Sequence, residues 1–314
     1  METKSFPLVS VVVITYNSEK FILETLESIK EQTYSNLELI ISDDHSKDNT
    51  VSICREWTQK YSYRFKNVQI ITSPTNTGIS ANCNRGYRNA KGIWIKGIAG
   101  DDALEKECIS QYIDFINMHP QASICHSKQH CFNDTFNPSS LNIEKEIKDV
   151  DCLHTANPNH KKQFLYLCLS NSISAPTVFM KKSLFDTIGG YDETIPMCED
   201  YPMWLKITKN GYPFYFLNQY TTLYRMHSDS VFGSNSINYL FKRFFKQDDI
   251  VYKHYIKSYA PFIIRFTHRY EYNLRKILDK LNLNKITPFT RIIYYIFRLP
   301  YRILSKSIRL FFKL

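Results

Sequence analysis

The sequence predicts a doubly wound α/β fold on a mixed sheet, with a helical extension at the C-terminus. Two observations predict the sheet and a third the extension. Continuous apolar, β-branched runs recur near the start, as in LVSVVVIT (Leu8–Thr15) and LELIIS (Leu37–Ser42). Such runs read as strands buried on both faces, the habit of parallel sheets. Between them lie stretches with apolar residues at helical spacing, so strand and helix alternate. Charge then changes abruptly along the chain. From Leu240 to Leu314 there are 17 Lys and Arg against 4 Asp and Glu, a net of +13, whereas residues 1–239 carry 23 against 26, a net of −3. The two parts meet different surroundings.

The elements follow in order. After Leu8–Thr15, a helix runs from Ser18, a candidate cap, to about Gln32, with Ile22, Leu26 and Ile29 on one face. The strand Leu37–Ser42 leads into the loop DDHSKDN, where Asp48 or Asn49 caps a helix reaching about Tyr61. Val68–Thr72 is a third strand, Asn76–Gly78 turn into a helix ending near Asn89, and Gly92 opens a fourth strand, IWIKGI. In such a sheet the ligand sits at the carboxyl ends of the strands. The loops Thr15–Ser18, Asp43–Asp48 and Ala99–Ala103 therefore carry the expected site. His126–Lys162 has no clear period and reads as a long loop or insertion. Order returns with a helix at Phe164–Ser170, a strand at Pro176–Met180, a helix at Lys182–Ile188, the turn GGYDE and a helix at Asp200–Asn210. Two strands, YPFYFLN and YTTLYRM, close the pattern. The expected division is a first domain over 1–235, in halves 1–103 and 104–235, followed by an extension over 236–314.

With 314 residues, 43% of them apolar, the chain is long enough and greasy enough to bury a core, and disorder is excluded over most of it. METKSFPLVS has neither a basic n-region nor an apolar run, so no signal peptide is expected, and no stretch reaches membrane-spanning length. Eight cysteines without a CxxC pair predict reduced thiols in the cytoplasm rather than a zinc site.

Two acidic pairs fall on the strand-end loops: Asp43-Asp44 and Asp101-Asp102. Adjacent carboxylates repel unless a donor or cation satisfies them. One or two carboxylates plus substrate phosphates is a common arrangement for Mg²⁺, and Mn²⁺ takes similar ligands. Either pair alone reads most simply as a solvated turn. Two pairs at the carboxyl ends of one sheet argue for a site. A third pair, Glu199-Asp200, opens an amphipathic helix. It suits a helix N-terminus, and a carboxylate fixed there beside Met197, Met203 and Trp204 also suits a general base.

Taken together, SVVVITYNSEKFILETLESIKEQTYSNLELIISDDHSKDNT, NTGISANCNRGYRNAKGIWIKGIAGDD, GGYDETIPMCEDYPMWLKI and LYRMH resemble the family 2 glycosyltransferases with the GT-A fold, over roughly residues 8–230. The resemblance implies an inverting transferase that takes a sugar from a nucleotide-diphosphate sugar, commonly UDP-linked, with Mn²⁺ or Mg²⁺. It implies that Thr15, Tyr16 and Asn17 cradle the nucleotide and that Asp44 accepts a hydrogen bond from the base. Asn76, Gly78 and Asn84 would lie on the nucleotide side. Asp101 would support the ribose or the metal's water shell, and Asp102 would bind the metal with His227 beside it, near Arg225. Asp200 would be the base, with Glu199 its neighbour. The sequence departs from the family in two places. His45 stands where a Gly commonly follows the first acidic pair, and Ala99 where many members carry another Asp.

The extension lies outside the resemblance. Arg291–Leu314 has six basic and no acidic residues interleaved with apolar and aromatic ones, broken at Pro300. This reads as amphipathic helices on an anionic membrane surface, at the inner face of the cell membrane, with a glycolipid, surface polysaccharide precursor or other lipid-linked acceptor. Packing on the catalytic part is the competing reading. Nucleic acid is not expected, since no binding motif accompanies the charge. Two rival functions remain open. A sugar-nucleotidyltransferase would carry a Gly-rich, Arg-containing loop where TYNSEK stands. A non-catalytic nucleotide-sugar-binding protein would not need Asp44, Asp102 and Asp200 together.

Overall fold

The computed structural model describes residues 6–143, 150–195, 198–228, 239–241 and 245–314, with the backbone alone at 245 and 246. Met197 and the expected boundary at 235/236 lie outside these residues. The first half alternates strictly: β1 (Val9–Thr15), α1 (Ile22–Lys30), β2 (Leu37–Asp43), α2 (Thr50–Tyr61), β3 (Val68–Thr72), α3 (Ile79–Asn89) and β4 (Trp94–Ala99). The four strands are parallel in the order β3-β2-β1-β4. Thr15 lies opposite Asp43, and Ile14 opposite Ala99, so the three site loops leave the sheet along one edge. The winding reverses between β1 and β4, which places the crevice there.

Alternation along the buried strands feeds two cores. Val9, Val11 and Val13 join Leu37, Leu39 and Ile41 under α1 and α2, with Leu26, Ile29 and Trp57. Val12 and Ile40 point the other way, to a cluster containing Tyr87, Trp204 and Phe214. Helix α3 lies so close to the sheet that a Cβ on Gly86 would stand 2.5 Å from Val12 Cγ1.

The second half adds β5 (Ala103–Leu104), α4 (Cys108–Met118), β6 (Ile124–Asn133), α5 (His160–Leu167), β7 (Phe179–Lys181), α6 (Lys182–Ile188), α7 (Asp200–Lys209) and β8 (Tyr215–Met226). They extend the sheet as β4-β7-β6-β8-β5, with antiparallel pairs at β4/β7, β6/β7 and β5/β8. Three expectations need correction. The segment read as a loop from His126 begins as strand β6. Its polar residues are buried because tertiary partners satisfy them: Ser127 Oγ meets Tyr112 OH at 2.8 Å, and Gln129 Oε1 accepts from Ser174 at 2.6 Å. That polar filling erased the apolar period. The two strands expected at Tyr212–Met226 are one strand, β8. The register against β6 slips between Ser127 and Gln129, which shifts the phase of the pattern. The strand expected at Pro176–Met180 begins only at Phe179, because Ala175–Thr177 form a helical turn.

The C-terminal helices are α8 (Phe245–Val251), α9 (Phe262–Lys280) and α10 (Pro288–Phe312). Val251, Ile256, Ile264 and Ile308 belong to the same core cluster as Trp204 and Phe214. Tyr301 OH donates to Leu169 O at 3.4 Å, and His268 meets Cys168 O. One face of the extension therefore packs on the catalytic part. Helix α10 continues through Pro300, although Pro in a helix interior costs about 3 kcal/mol. Inward contacts on both sides, Tyr294 before it and Ile308 after it, hold the two halves in line. Among the described residues no helix is long and apolar enough to cross a membrane.

Candidate active site

The loops at the strand ends are built by their own side chains. Thr15, buried at the end of β1, donates to Asp43 Oδ1 at 2.9 Å, and Ser46 N donates to Asp43 Oδ2 at 2.9 Å. Asn17 takes φ 51°, a left-handed conformation that Asn tolerates, and ties the first loop to the second: its N donates to Ser46 Oγ at 2.8 Å and its Oδ1 accepts from Lys47 N at 2.8 Å. Tyr16 is 49% exposed between them.

His45 adopts φ 70°, also left-handed. The family's usual Gly at this position thus has a physical reason, and His45 carries a strain that Gly would not. Replacing it, His45→Gly, is expected to stabilise the fold by about 0.5–1 kcal/mol, the strain relieved less the added chain entropy. The melting temperature should rise by roughly 2 °C. A lower melting temperature would show that the side chain earns its place through other contacts.

Asp44 is almost fully buried, and protein donors surround it. Thr77 N and Gly78 N donate to Oδ2 at 2.9 and 2.7 Å, Thr77 Oγ1 donates to Oδ1 at 2.6 Å, and Arg85 Nη2 approaches Oδ1 at 3.1 Å. It moulds the 76–78 loop, in which Asn76 Oδ1 accepts from Gly78 N at 3.1 Å and Gly78 takes φ 87°. Asn84 is placed differently from the expectation. It is 1% exposed, and its amide is spent on Tyr191 and Glu193, at 2.9 Å from Tyr191 N and 2.6 Å to Glu193 Oε1. It fastens α3 to the turn at Gly189 and Gly190, whose φ of 82° and 77° require glycine.

After β4, Asp102 is buried and its Oδ1 accepts from Arg225 N at 2.9 Å. Burial, then the charge of Asp101, pushes its carboxyl well above the usual carboxylate range. His227 Nε2 lies 3.0 Å from Asp101 Oδ2. Arg225 is the rivet of this corner. It is 2% exposed, donates from Nε to Asp101 O at 2.7 Å, pairs with Glu24, and lies between the rings of Phe21 and Phe136 at 4.5 and 3.9 Å. Sequence reasoning placed Arg225 near the site but missed Glu24 and Phe21, whose positions on the first helix pair with nothing local.

Glu199 and Asp200 begin α7. Asp200 accepts from Tyr201 N at 2.6 Å and from Asn171 Nδ2 at 3.0 Å. Asn171 was missed as well, because nothing in its local sequence marks it. Burial, reinforced by Asp200's charge, raises the Glu199 carboxyl to about 8. The acidic groups converge on two side chains, buried Cys83 and half-buried Tyr224. Cys83 is raised by burial and then by Glu199, Asp200 and Asp44, and Tyr224 by burial and then by Asp102, Asp101 and Asp200. Asp200 therefore acts on both side chains, with Asp44 and Glu199 on the Cys83 side and Asp101 and Asp102 on the Tyr224 side.

Among the described residues no group of three or more His, Cys, Asp or Glu is arranged to hold a metal. The donors still fit an oxygen-seeking cation that shares its shell with substrate phosphates. Asp102 is a buried carboxylate beside a second one, an imbalance that a cation relieves.

A doubly wound sheet with carboxylates gathered at its switch point defines a nucleotide-binding α/β protein. Residues 10–189 match the profile of glycosyl transferase family 2, and the chain belongs to that family. It is 28% identical over 263 residues to the UDP-Glc:alpha-D-GlcNAc-diphosphoundecaprenol beta-1,3-glucosyltransferase WfaP of Escherichia coli, covering 82% of this chain and 91% of that protein. Its fold is similar to that of residues 1–349 of TarS from S. aureus in complex with UDP-GlcNAc, with a TM-score of 0.61 and 19% identity over 84% of this chain and 71% of that one. It is also similar to the mannosyltransferase PcManGT from Pyrobaculum calidifontis in complex with GDP-Man and Mn²⁺, with a TM-score of 0.54 and 17% identity over 97% and 75%. The protein is a glycosyltransferase with a GT-A-like fold.

Proposed function

We propose that the protein transfers a sugar, with inversion, from a UDP-sugar to a hydroxyl of a lipid-linked acceptor at the inner face of the cell membrane. The observation that carries this reading is that Asp200, at the start of α7, acts on Cys83 together with Asp44 and on Tyr224 together with Asp101 and Asp102, so that it stands between the two strand-end acidic pairs.

The nucleotide side is the Thr15–Asn17 loop, Asp44 and the Asn76–Gly78 loop. Asp44 acts chiefly through the Thr77 and Gly78 backbone that it holds. Tyr16 offers an exposed ring to the base. Asp102 would hold Mn²⁺ or Mg²⁺, with Asp101 and its partner His227 beside it. When bound, the cation neutralises charge growing on the departing diphosphate, which supplies several kcal/mol. Asp200 takes the proton from the acceptor hydroxyl as that oxygen attacks the far face of the anomeric carbon. Its two donors, Tyr201 N and Asn171 Nδ2, favour and orient the carboxylate, while Glu199, raised to about 8, stays neutral at pH 7.

The UDP donor and the lipid-linked acceptor are supported by the likeness to WfaP, a UDP-Glc:alpha-D-GlcNAc-diphosphoundecaprenol beta-1,3-glucosyltransferase. The membrane is supported by α10, whose outward side exposes Phe289, Ile292, Ile296, Leu299, Ile303 and Leu310. The division into 1–235 and 236–314 is then one of function, since their cores merge.

The test is a panel of UDP-sugars with a sugar-polyprenyl-diphosphate acceptor and Mn²⁺, the product's anomeric configuration being read by NMR. The expected result is a new glycoside of inverted configuration. Retention, or release of pyrophosphate from UTP and a sugar phosphate instead, would overturn the reading.

A further inference from the structure

A cavity of about 580 Å³ opens between α10 and the loop at Leu169–Ser170. Arg298, Arg302, Lys306 and Arg309 line it, and no acidic residue does. Arg298 is partly neutralised by Glu271 Oε1 at 3.0 Å. Among the described residues no carboxylate pairs with the other three. Tyrosine rings steady two of them: Arg302 lies over Tyr295 at 5.1 Å, and Arg309 over Tyr166 at 4.7 Å.

Besides Arg298 Nε, which has its ion pair with Glu271, two polar atoms in this wall are buried without a hydrogen-bond partner among the described residues: Ser305 Oγ, on a residue only 8% exposed, and Arg309 Nε. An orphaned hydroxyl and guanidinium nitrogen each carry a desolvation cost of about 1–3 kcal/mol that an anionic oxygen would cancel. At about 100° per residue, the basic residues of Arg291–Leu314 fall on one flank of α10, within roughly 80° of arc. The exposed stripe from Ile292 to Leu310 occupies the arc beside it, so the cavity has a cationic wall and an apolar lip formed by Leu299 and Ile303. The cavity's other rim, Ser170, precedes Asn171, the residue that holds Asp200.

The geometry points to this cavity as the site for the diphosphate of the lipid-linked acceptor, with its hydrocarbon chain leaving along the stripe of α10 and its sugar reaching toward Asp200. The inference rests on the acceptor reading above and adds the place where the headgroup is held. Arg302 and Lys306 supply charge-assisted hydrogen bonds, and Ser305 and Arg309 complete the cradle.

The test compares binding of the full chain to three phosphatidylcholine vesicles: plain, doped with a polyprenyl diphosphate, or doped with phosphatidylglycerol at equal charge. Wild type is expected to bind the diphosphate vesicles at least about tenfold more tightly than the phosphatidylglycerol ones, the scale of a lost charge-assisted hydrogen bond. The double variant Arg302→Ala/Lys306→Ala, whose side chains are exposed enough to change without harm to the fold, should lose that preference at an unchanged melting temperature. Equal binding to both anionic vesicles, or a preference that survives the double variant, overturns the site. Displacement by inorganic pyrophosphate as effectively as by the lipid would assign the cavity to a free diphosphate and overturn the lipid source. Transfer assays keep the two ideas apart. If wild type uses the lipid acceptor and the variant's KM for it is unmoved, only the cavity assignment falls. If wild type uses no polyprenyl-diphosphate acceptor, the acceptor reading falls.

Discussion

Asp200→Asn is expected to lower turnover by at least about 100-fold, the usual scale for a lost general base. The side chain keeps its shape, and its amide oxygen still accepts from Tyr201 N, so the start of α7 should be preserved. Donor affinity, measured by calorimetry with UDP, should change little because the proposed nucleotide contacts are made by the Thr15–Asn17 and Asn76–Gly78 loops. Glu199→Gln is the needed companion. Glu199 is raised to about 8, so near pH 7 it is already protonated, and glutamine imitates that state. Its turnover at pH 7 should stay within a few-fold of wild type. Above pH 8 the wild-type Glu199 ionises and its charge reaches Asp200, while the Gln variant stays neutral, so the two pH profiles should diverge there. The opposite pattern, with Glu199→Gln inactive and Asp200→Asn active, would make Glu199 the base.

Asp102→Asn is expected to cost roughly 100- to 1,000-fold in transfer, equivalent to about 3–4 kcal/mol of stabilisation at the leaving group. The same change should leave the fold as stable as before or more so. Asp102 is buried, and both burial and Asp101 disfavour its charge, so a neutral isostere removes a penalty. The asparagine oxygen still accepts from Arg225 N, which keeps β8 docked on the loop. A rise or no change in melting temperature together with lost activity would separate a functional carboxylate from a structural one. Titrating Mn²⁺ into the UDP-bound protein adds a readout independent of turnover, because the variant should lose the binding isotherm. Full activity in Asp102→Asn, or in wild type with EDTA, would remove the metal from the mechanism.

The parallel half of the fold was legible because its signals are local. Val9–Thr15 and Leu37–Asp43 are buried on both faces, so their apolar runs are unbroken, and the loops after β2 and β4 announce themselves with paired acids. The family resemblance then assigned roles by position. The second half was harder to read, since β6 fills the interior with His126, Ser127 and Gln129, whose partners at Leu153, Tyr112, Thr221 and Ser174 are distant in sequence. Asn84 illustrates the same limit at the site. Its place in the chain pointed to the nucleotide, yet its amide closes on Tyr191 and Glu193, more than a hundred residues away.

The sequence by itself determined the alternating strands and helices, the edge of the sheet where the site must lie, the acidic pairs there and the charge of the extension. Each of these follows from neighbours in the chain: a period, a cap, a turn or a run of charge. Only the tertiary structure decided that burial raises Glu199 and that Asn171 and Tyr201 donate to Asp200. It alone decided that His45 sits in a glycine's conformation and that Arg225 clamps the Asp101–Asp102 loop. It also decided that α10 has two faces, one spent on the core and one left outward. Those outcomes depend on contacts between distant residues, which no local pattern encodes.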